Sequence, residues 1–158
     1  MKIRKYAILL FAAFAAVQLL SGCGSDDNKD EAPQEQPAQA MTVDMSKVKD
    51  GTYTAESSMD KVHGKAVITL TIADHKITAV DYKGIDKDGT TVKTSDYGKD
   101  KDPTNAKKAQ VAYRSQSQYV NELLKKQDLS KVDAISGATI NYNQFIEAVN
   151  KDLEQAQK

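Results

Sequence analysis

The stretch KAVITLTIADHKITAVDY, Lys65–Tyr82, decides the fold of this chain. In its first half apolar and polar residues alternate, and this pattern places four apolar side chains on one face of a strand: Ala66, Ile68, Leu70 and Ile72. Asp74 and His75 then interrupt the pattern, and residues of these types accept left-handed backbone more readily than most others. We therefore predict two antiparallel strands that are joined by a tight turn and buried on one face.

The flanking segments extend this hairpin into a small domain. GTYTAES, which starts at Gly51, is short and rich in strand-forming residues, so it adds a third strand. From Pro103 to the sequence KKQD, apolar residues recur at helical spacing: Ala109, Ala112, Tyr113, Val120, Leu123 and Leu124. A second helix follows SGATI, with Asn141 as its N-cap, Gln144 completing a capping box, and an apolar stripe of Tyr142, Phe145, Ile146, Val149 and Leu153. The prediction is a single α+β domain in which a small antiparallel sheet packs against two C-terminal helices.

A polar segment, residues 83–105, separates the strands from the first helix. Its composition predicts an exposed loop with a small hairpin at Asp88 and Gly89. A calcium loop is the alternative, because the segment holds five aspartates: Asp86, Asp88, Asp96, Asp100 and Asp102. The spacing of an EF-hand is not met, since Thr90 fills the third acidic position and no glutamate closes the loop. We expect no metal site here.

The N-terminus has the layout of an export signal. Lys2, Arg4 and Lys5 precede an apolar run, and LSGC at 20–23 matches the lipobox of bacterial lipoproteins, in which the cysteine is lipidated and becomes the new N-terminus. Cys23 is the only cysteine, so no internal disulfide competes for it. The alternative is a plain signal peptide with an incidental cysteine. We expect residues 1–22 to be removed and Cys23 to carry acyl chains that anchor the protein.

The remaining chain divides into a tether and a domain. Removal of residues 1–22 takes away three basic and no acidic residues, which leaves 19 basic against 22 acidic residues and gives no reason to expect nucleic acid. Residues 23–45 are acidic and rich in Gln and Pro, which predicts a disordered tether. Residues 46–158 form the predicted domain. The expected location is the cell membrane, with the lipid-anchored domain facing outside the cytoplasm.

The sequence offers little chemistry from side chains alone. His63 and His75 are separated by a strand and its turn, so their spacing does not support a zinc or copper site. The chain has no GxSxG elbow, no phosphate-binding P-loop and no dinucleotide-binding glycine motif. We predict no catalytic residues, and any redox chemistry then has to come from a cofactor.

The stretch DAISGATI, 133–140, is the best candidate for a cofactor site. Gly137 permits positive φ, Ala138 leaves room, and Thr139 presents a hydroxyl on an accessible loop before a helix. An anion at that hydroxyl lies near the positive end of the helix and its unpaired N–H groups, which suits a phosphate. The carboxylate of Asp133 is expected to fold onto the loop backbone.

These residues carry a resemblance to a known family. VDAISGATINYNQFIEAV, together with DGTYTAE and the central hairpin, resembles the FMN-binding domain family, whose attachment motif is matched without a gap by Asp133, Ser136, Gly137, Ala138 and Thr139. The resemblance implies covalent FMN, with its phosphate esterified to Thr139 by a flavin transferase that uses FAD and magnesium. The sequence departs from the family pattern at two places, and both concern the protein contacts of the flavin other than its attachment. The turn is Asp74-His75 where many members have Asp-Gly, and the charged loop replaces a Glu-Thr-Pro-Gly stretch.

The resemblance also implies a function. The protein is then an electron carrier and not an enzyme, and it works between a membrane donor, such as a quinone-linked dehydrogenase, and an extracellular acceptor. Arg114 is a candidate for a phosphate contact, with a solvated helix face as the alternative. Six tyrosines are candidates to stack on the flavin, and the sequence does not choose among them: Tyr53, Tyr82, Tyr97, Tyr113, Tyr119 and Tyr142. Two rival functions remain, a lipoprotein that binds a small ligand noncovalently and a structural surface domain without a ligand.

Overall fold

The structure is a computed structural model and describes residues 38–158. The predicted signal peptide and Cys23 therefore lie outside the described residues. Three strands are followed by two helices, with single turns of 3₁₀ helix at Met45–Lys47 and Leu129–Lys131. The elements are β1 (Gly51–Glu56), β2 (Lys65–Ala73), β3 (Lys76–Ile85), α1 (Pro103–Lys126) and α2 (Thr139–Ala156). This arrangement confirms the predicted α+β class.

The sheet is antiparallel in the order β1-β2-β3, and β2 supplies its buried centre. The four apolar residues predicted on one face of β2 are all buried: Ala66, Ile68, Leu70 and Ile72. Helix α2 packs on β1 and β2, while α1 packs on β3. Both helices therefore cover the apolar face of one small sheet.

The tight turn between β2 and β3 is held by an aspartate from outside the hairpin. Asp74 and His75 both have positive φ, of 52° and 58°, as a two-residue hairpin with a type I′ turn requires. The carboxylate of Asp50 accepts hydrogen bonds from their two backbone N–H groups at 2.9 and 3.1 Å. The imidazole Nδ1 of His75 lies 2.9 Å from the carbonyl of Val48. These contacts stabilise a turn that lacks the usual glycine.

Helix α1 begins and ends where the sequence predicted. Asp102 caps its N-terminus by accepting hydrogen bonds from the N–H groups of Thr104 and Asn105. At the other end Gln127 is left-handed, with φ 53°, and its N–H donates to the carbonyl of Leu123. The amide of Gln127 also exchanges two 2.9 Å hydrogen bonds with the backbone of Ile77, which joins the helix end to the start of β3.

The predicted start of α2 was wrong by three residues. The helix begins at Thr139, its N-cap position is Ala138, and no side chain caps it. Asn141 and Gln144 are both buried and bond elsewhere: Asn141 donates to the carbonyl of Ala112, and Gln144 donates to that of Gly64. The expected capping box therefore does not form, because tertiary partners take both amides.

An N-terminal strap, residues 38–48, runs along α2. The N–H of Ala38 donates to Asn143 Oδ1 at 3.1 Å, and that of Met41 donates to Asn150 Oδ1 at 2.9 Å. Four of its apolar side chains pack against the core: Ala38, Ala40, Val43 and Met45. Residues 38–45 were assigned to the tether from their sequence, but the structure places them in contact with α2.

The polar segment between β3 and α1 contains the small hairpin that was predicted. Asp86 N–H donates to Thr91 O, and the carboxylate of Asp88 accepts from the N–H groups of Thr90 and Thr91. The Thr91 hydroxyl, which also donates to this carboxylate, and then the two N–H groups lower the pKa of Asp88 to about 2. Within residues 38–158 no three acidic, His or Cys side chains come close enough to hold a metal. Neither helix in the described part of the chain combines the length and apolar character that crossing a membrane requires.

Candidate functional site

The loop that precedes α2 presents Thr139 at the surface. Gly137 has φ +80°, a backbone conformation that residues with side chains rarely adopt. Ala138 is 3% exposed, so its small side chain turns into the core, while Ser136 and Thr139 on either side are exposed. The turn therefore buries one methyl group and directs the next side chain outward.

The N-terminus of α2 is rich in unpaired donors. Its first capping hydrogen bond runs from the N–H of Tyr142 to the carbonyl of Ala138, at 2.9 Å. The N–H groups of Thr139, Ile140 and Asn141 have no acceptor among the described residues. Together with the helix dipole, three such donors attract an anion. The exposed hydroxyl of Thr139 lies at the first position of this helix.

A buried tyrosine from α1 holds the loop at both ends. The hydroxyl of Tyr119 donates to the carbonyl of Ala138 at 3.2 Å and accepts from the N–H of Ile135 at 3.1 Å. Its ring is fully buried, between Phe145 and Tyr142. The sequence pattern for α1 omitted Tyr119, although it lies seven residues after Ala112 and four before Leu123, which is helical spacing. This spacing was the signal that could have placed it in the core.

Asp133 does not fold onto the loop backbone, and that expectation was wrong. Its side chain is 93% exposed and forms an ion pair with Lys126 at 3.2 Å. Lys126 Nζ also bonds to Glu122 at 2.7 Å and to the carbonyl of Lys131 at 2.6 Å. The bond to Glu122, followed by the one to Asp133, raises the pKa of Lys126. Asp133 is thus available to an approaching molecule and does not shape the loop.

The candidate tyrosines for stacking on a flavin are divided between core and surface. Tyr82 and Phe145 are parallel at 5.8 Å, and Tyr119 and Phe145 at 5.6 Å, so these rings pack on one another beneath the loop. The hydroxyl of Tyr82 also bonds weakly to the carbonyl of Asn141 at 3.4 Å, and burial raises its pKa. Tyr119 is fully buried, whereas Tyr82 also lines a groove on α1.

Arg114 is exposed and lies beside a groove of about 290 Å³ on α1. Tyr82, Tyr113 and Gln116 line the same groove, which lies between α1 and β3. On α1, Val111 and Tyr119 face the loop, since Val111 lies close to Gly137. At 3.6 residues per turn, Tyr113 and Ser117 are about 120–160° around the helix from these two residues, whereas Arg114 is only about 60° from Val111. Arg114 therefore lies on the same side of α1 as Val111, and Tyr82, whose hydroxyl donates to the carbonyl of Asn141, connects this groove to the N-terminal end of α2.

A larger groove, of about 460 Å³, opens next to Thr139 and is called the α2 groove here. Its residues come from the first turns of α2, from the β1–β2 connection and from the strap: Ile140, Asn143, Gln144, Glu147, Ser58, Met59, Asp60 and Ala38. Met59 is 46% exposed, one of three large apolar side chains with so much exposed surface in residues 38–158. This groove could not be predicted from the sequence, because its walls are about eighty residues apart in the chain.

The histidines have local partners. His63 Nδ1 lies 3.0 Å from the carboxylate of Asp60, which also accepts from the N–H groups of Val62 and His63. Burial opposes ionisation of Asp60, but these hydrogen bonds outweigh it and lower its pKa. His75 is part of the β2–β3 turn. Each histidine thus stabilises a turn in the sheet.

Comparison with known proteins identifies similar structures and a family. The crystal structure of the CPE2226 protein from Clostridium perfringens is 29% identical to the chain, with a TM-score of 0.57 over 70% of this chain and 89% of that one. A solution structure from Clostridium thermocellum is 26% identical, with a TM-score of 0.41 over 70% and 93% of the two chains. No curated protein sequence matches the chain. The family model described as FMN-binding domain matches residues 61–154, which include all of α1, the loop and most of α2. Since that match covers more than half of the sequence, the chain belongs to the FMN-binding domain family.

Proposed function

We propose that this protein is a lipid-anchored electron carrier in which FMN is bound covalently through its phosphate to Thr139. Membership of the FMN-binding domain family supports FMN as the cofactor and a role in electron transfer. Covalent attachment is the further step. The observation that carries it is the position of Thr139, exposed at the start of a helix whose first three N–H groups have no acceptor among the described residues.

The residues at this helix end fit a phosphate. Three backbone donors and the positive end of the helix dipole favour a negatively charged group, and no carboxylate caps the helix to compete with it. The attachment requires the hydroxyl oxygen of Thr139 to attack the FMN phosphorus of FAD. The pyrophosphate bond then breaks, AMP leaves, and the hydroxyl proton is lost to a base of the transferase. Magnesium, supplied with FAD, balances the charge on the phosphates.

The remaining residues of the motif have separate tasks in this proposal. Gly137 and Ala138 give the loop its shape, and Tyr119 holds it in place. Asp133 and Ser136 are exposed on the segment that leads to Thr139, where an incoming transferase is proposed to contact them. When bound, the isoalloxazine ring accepts and donates one or two electrons, whereas no side chain of the domain has such chemistry.

The anchor and the partners are inferred from the sequence alone. Cys23 is proposed to carry acyl chains after residues 1–22 are removed, so that the protein is held at the outer face of the cell membrane. A membrane dehydrogenase linked to quinone is the proposed donor, and the acceptor lies farther out. A covalent bond suits this location, because a flavin bound reversibly is lost by dilution outside the cell.

The test is peptide mass spectrometry on protein purified from a cell that contains a flavin transferase. We expect an FMN-sized increment on the peptide with Thr139 in the native protein and in Thr139→Ser, and none in Thr139→Ala. Denatured native protein should remain fluorescent on a gel. Flavin that is released on denaturation, without the increment, would instead favour the noncovalent ligand-binding alternative. For the anchor, Cys23→Ala should release the domain from membranes and abolish its labelling with fatty acid.

A further inference from the structure

We propose that the outer edge of β3, from Thr78 to Lys83, pairs with an extended segment of a partner protein as a fourth strand, and that an acidic side chain of this segment binds Arg114. This interaction surface is separate from the attachment to Thr139 and does not depend on it. It concerns a protein partner, whereas the family match names a cofactor.

The outer edge of β3 carries backbone groups that do not bond within the sheet. In an antiparallel pair, residues alternate between bonding to the neighbouring strand and facing away from it. The carbonyl of Gly84 accepts from the N–H of Lys93, outside the sheet, at 2.8 Å. The alternate residues Val80 and Tyr82 therefore also face outward, and no group elsewhere in residues 38–158 bonds to their N–H groups or carbonyls. These four backbone groups are open to another chain.

Both ends of this edge already pair with groups that are not strands of the sheet. At the start of β3, the side-chain amide of Gln127 exchanges two 2.9 Å hydrogen bonds with Ile77, as a residue of a neighbouring strand would. At the other end Lys93 pairs with Gly84. Residues 78–83, between these two closures, span about 20 Å at about 3.3 Å per residue. The opening fits a short extended segment.

The opposite edge of the sheet, on β1, is covered by α2. Lys151 Nζ donates to the carbonyl of Glu56 at 2.9 Å, and Gln155 Nε2 donates to that of Thr54 at 3.4 Å. Exposed strand edges pair readily with other chains, and proteins therefore usually cover or shorten them. The sheet thus closes one edge and leaves the other open, and addition of a strand to an open edge is a common way in which extended peptides bind.

The groove beside this edge, of about 290 Å³ and called the α1 groove here, supplies contacts for side chains. Tyr82 of β3 lines it together with residues of α1, among which Tyr113 and Val120 are half-buried and offer apolar surface. Gln116 also lines the groove and is 7% exposed, and its amide nitrogen has no hydrogen-bond partner within residues 38–158. Buried donors in proteins usually have an acceptor, and a backbone carbonyl of an added segment would supply one.

Arg114 gives the α1 groove a preference for negative charge. It is exposed, and no carboxylate is among the residues of the described chain that line the groove. A guanidinium binds a carboxylate through two parallel hydrogen bonds. The segment is therefore expected to carry aspartate or glutamate opposite Arg114 and an apolar side chain toward Tyr113 and Val120.

A second copy of the protein fits this edge less well than a bare segment does. Two β3 strands that pair edge to edge lie about 4.8 Å apart. Helix α1 packs on β3 in each copy, and two packed helices need about 8–10 Å between their axes. An extended segment without a helix above it avoids this conflict and leaves α1 in place as the wall of the groove.

The experiment follows hydrogen exchange of single backbone N–H groups by ¹⁵N NMR in the purified protein. The probes are peptides of about eight residues in which valine and threonine alternate around a central glutamate, with valine, leucine or tyrosine next to the glutamate. We expect the N–H groups of Val80 and Tyr82 to exchange about tenfold more slowly when peptide is bound. Those of Asp81 and Lys83 face β2 and should keep their rates. Unchanged exchange at Val80 and Tyr82 with every peptide at millimolar concentration would overturn the proposal.

Two matched comparisons separate the backbone contacts from the charge. Methylation of alternate backbone nitrogens of the peptide removes the N–H groups that pair with β3 and keeps the side chains, so it should weaken binding about tenfold or more. Arg114→Gln should weaken binding several-fold, whereas Lys125→Gln, which removes a charge from α1 outside the groove, should not. Equal binding of methylated and unmodified peptide would overturn strand addition, and equal binding by the two variants would overturn the acidic partner.

Self-association gives a different result in the same measurement. Protection of Val80 and Tyr82 that rises with protein concentration and needs no peptide would mean that a second copy occupies the edge. That result would overturn the assignment to a segment of a partner protein.

Discussion

The hydroxyl of Tyr119, on the buried face of α1, donates a hydrogen bond to the carbonyl of Ala138, 3.2 Å away in the loop before α2. The same oxygen accepts from the N–H of Ile135. One atom thus fixes both ends of the segment that contains Ser136 and Gly137. The position of the Thr139 hydroxyl depends on a side chain that never touches it.

Tyr119→Phe removes these two bonds and keeps the ring. The N–H of Ile135 and the carbonyl of Ala138 then lose their partner, at a cost of about 1–3 kcal/mol in the free energy of unfolding. We expect a lower urea midpoint and a slower attachment of FMN by the transferase. Tyr97→Phe is the matched control, because the contact of Lys93 with Tyr97 involves only the ring. Equal attachment rates for the two variants would show that the hydroxyl does not position the loop.

Gly64→Ala and Gly89→Ala separate steric clash from backbone strain. Both glycines have positive φ, +73° and +80°. A Cβ at Gly64 would lie 1.9 Å from the carbonyl oxygen of Ile85, whereas one at Gly89 would meet only the Met59 methyl at 3.6 Å. We expect Gly89→Ala to lower the free energy of unfolding by about 1–2 kcal/mol, the cost of left-handed backbone. Gly64→Ala should lose more than about 4 kcal/mol or fail to fold. Similar thermal midpoints for the two would contradict the close approach at Gly64.

Gly137→Ala tests the backbone of the attachment loop. Its Cβ would lie 3.5 Å from Val111 Cγ1, an ordinary contact, so only the φ of +80° opposes the change. We expect a loss of about 1–2 kcal/mol in the free energy of unfolding. Attachment of FMN, followed by mass, should slow because relaxation of the loop moves Thr139. Ser136→Ala changes an exposed neighbour and should leave the stability as it is. A stable Gly137→Ala protein that is modified at the native rate would argue against this conformation.

Asp152 makes the stability of the domain depend on pH. Its side chain is fully buried and neither carboxylate oxygen has a hydrogen-bond partner within residues 38–158, so burial raises its pKa to about 7. Between its ordinary pKa and about 7 the folded chain binds more protons than the unfolded chain, and stability therefore falls as the pH rises through this window. The full loss, reached above pH 7, is about 4 kcal/mol.

Thermal unfolding of the native protein and of Asp152→Asn from pH 5 to pH 8.5 checks this. We expect the native midpoint to drop over the range and the midpoint of Asp152→Asn to change much less. Asp81→Asn, which alters an exposed aspartate, should keep the native slope. The groups with lowered pKa, such as Asp88, act only in more acidic solution. Equal changes of the thermal midpoint with pH in all three proteins would mean that burial does not raise the pKa of Asp152.

The strands and helices of this fold can be predicted from local sequence patterns. The candidate site can be predicted from them only in part. Strict alternation in β2 and helical spacing in α1 each arise from a single segment, so the sequence displays them directly. The start of α2 was placed too late because Asn141 is a good capping residue by type. Its amide instead reaches α1, a contact that no local pattern reveals.

Buried polar side chains were a second source of error in the sequence-based prediction of the core. Ser115, Gln116 and Gln144 are buried with polar side chains, and a search for apolar stripes passes over such residues. Local sequence patterns also did not predict the α2 groove, since the β1–β2 connection and α2 come into contact only when α2 packs on the sheet. Thr139 could be chosen as a candidate from the sequence because its motif is contiguous: the residue with positive φ, the small buried residue and the hydroxyl are consecutive in the chain.

The buried anchorage of the loop has a consequence for biogenesis. Tyr119 and Thr139 are twenty residues apart and belong to different helices, so the Thr139 hydroxyl takes its position only after α1 and α2 have packed together. A transferase that modifies Thr139 in this setting acts on a finished tertiary structure. Export through a translocation channel as an unfolded chain would then come before flavin loading, and a short synthetic peptide with the same eight residues would be a poor substrate.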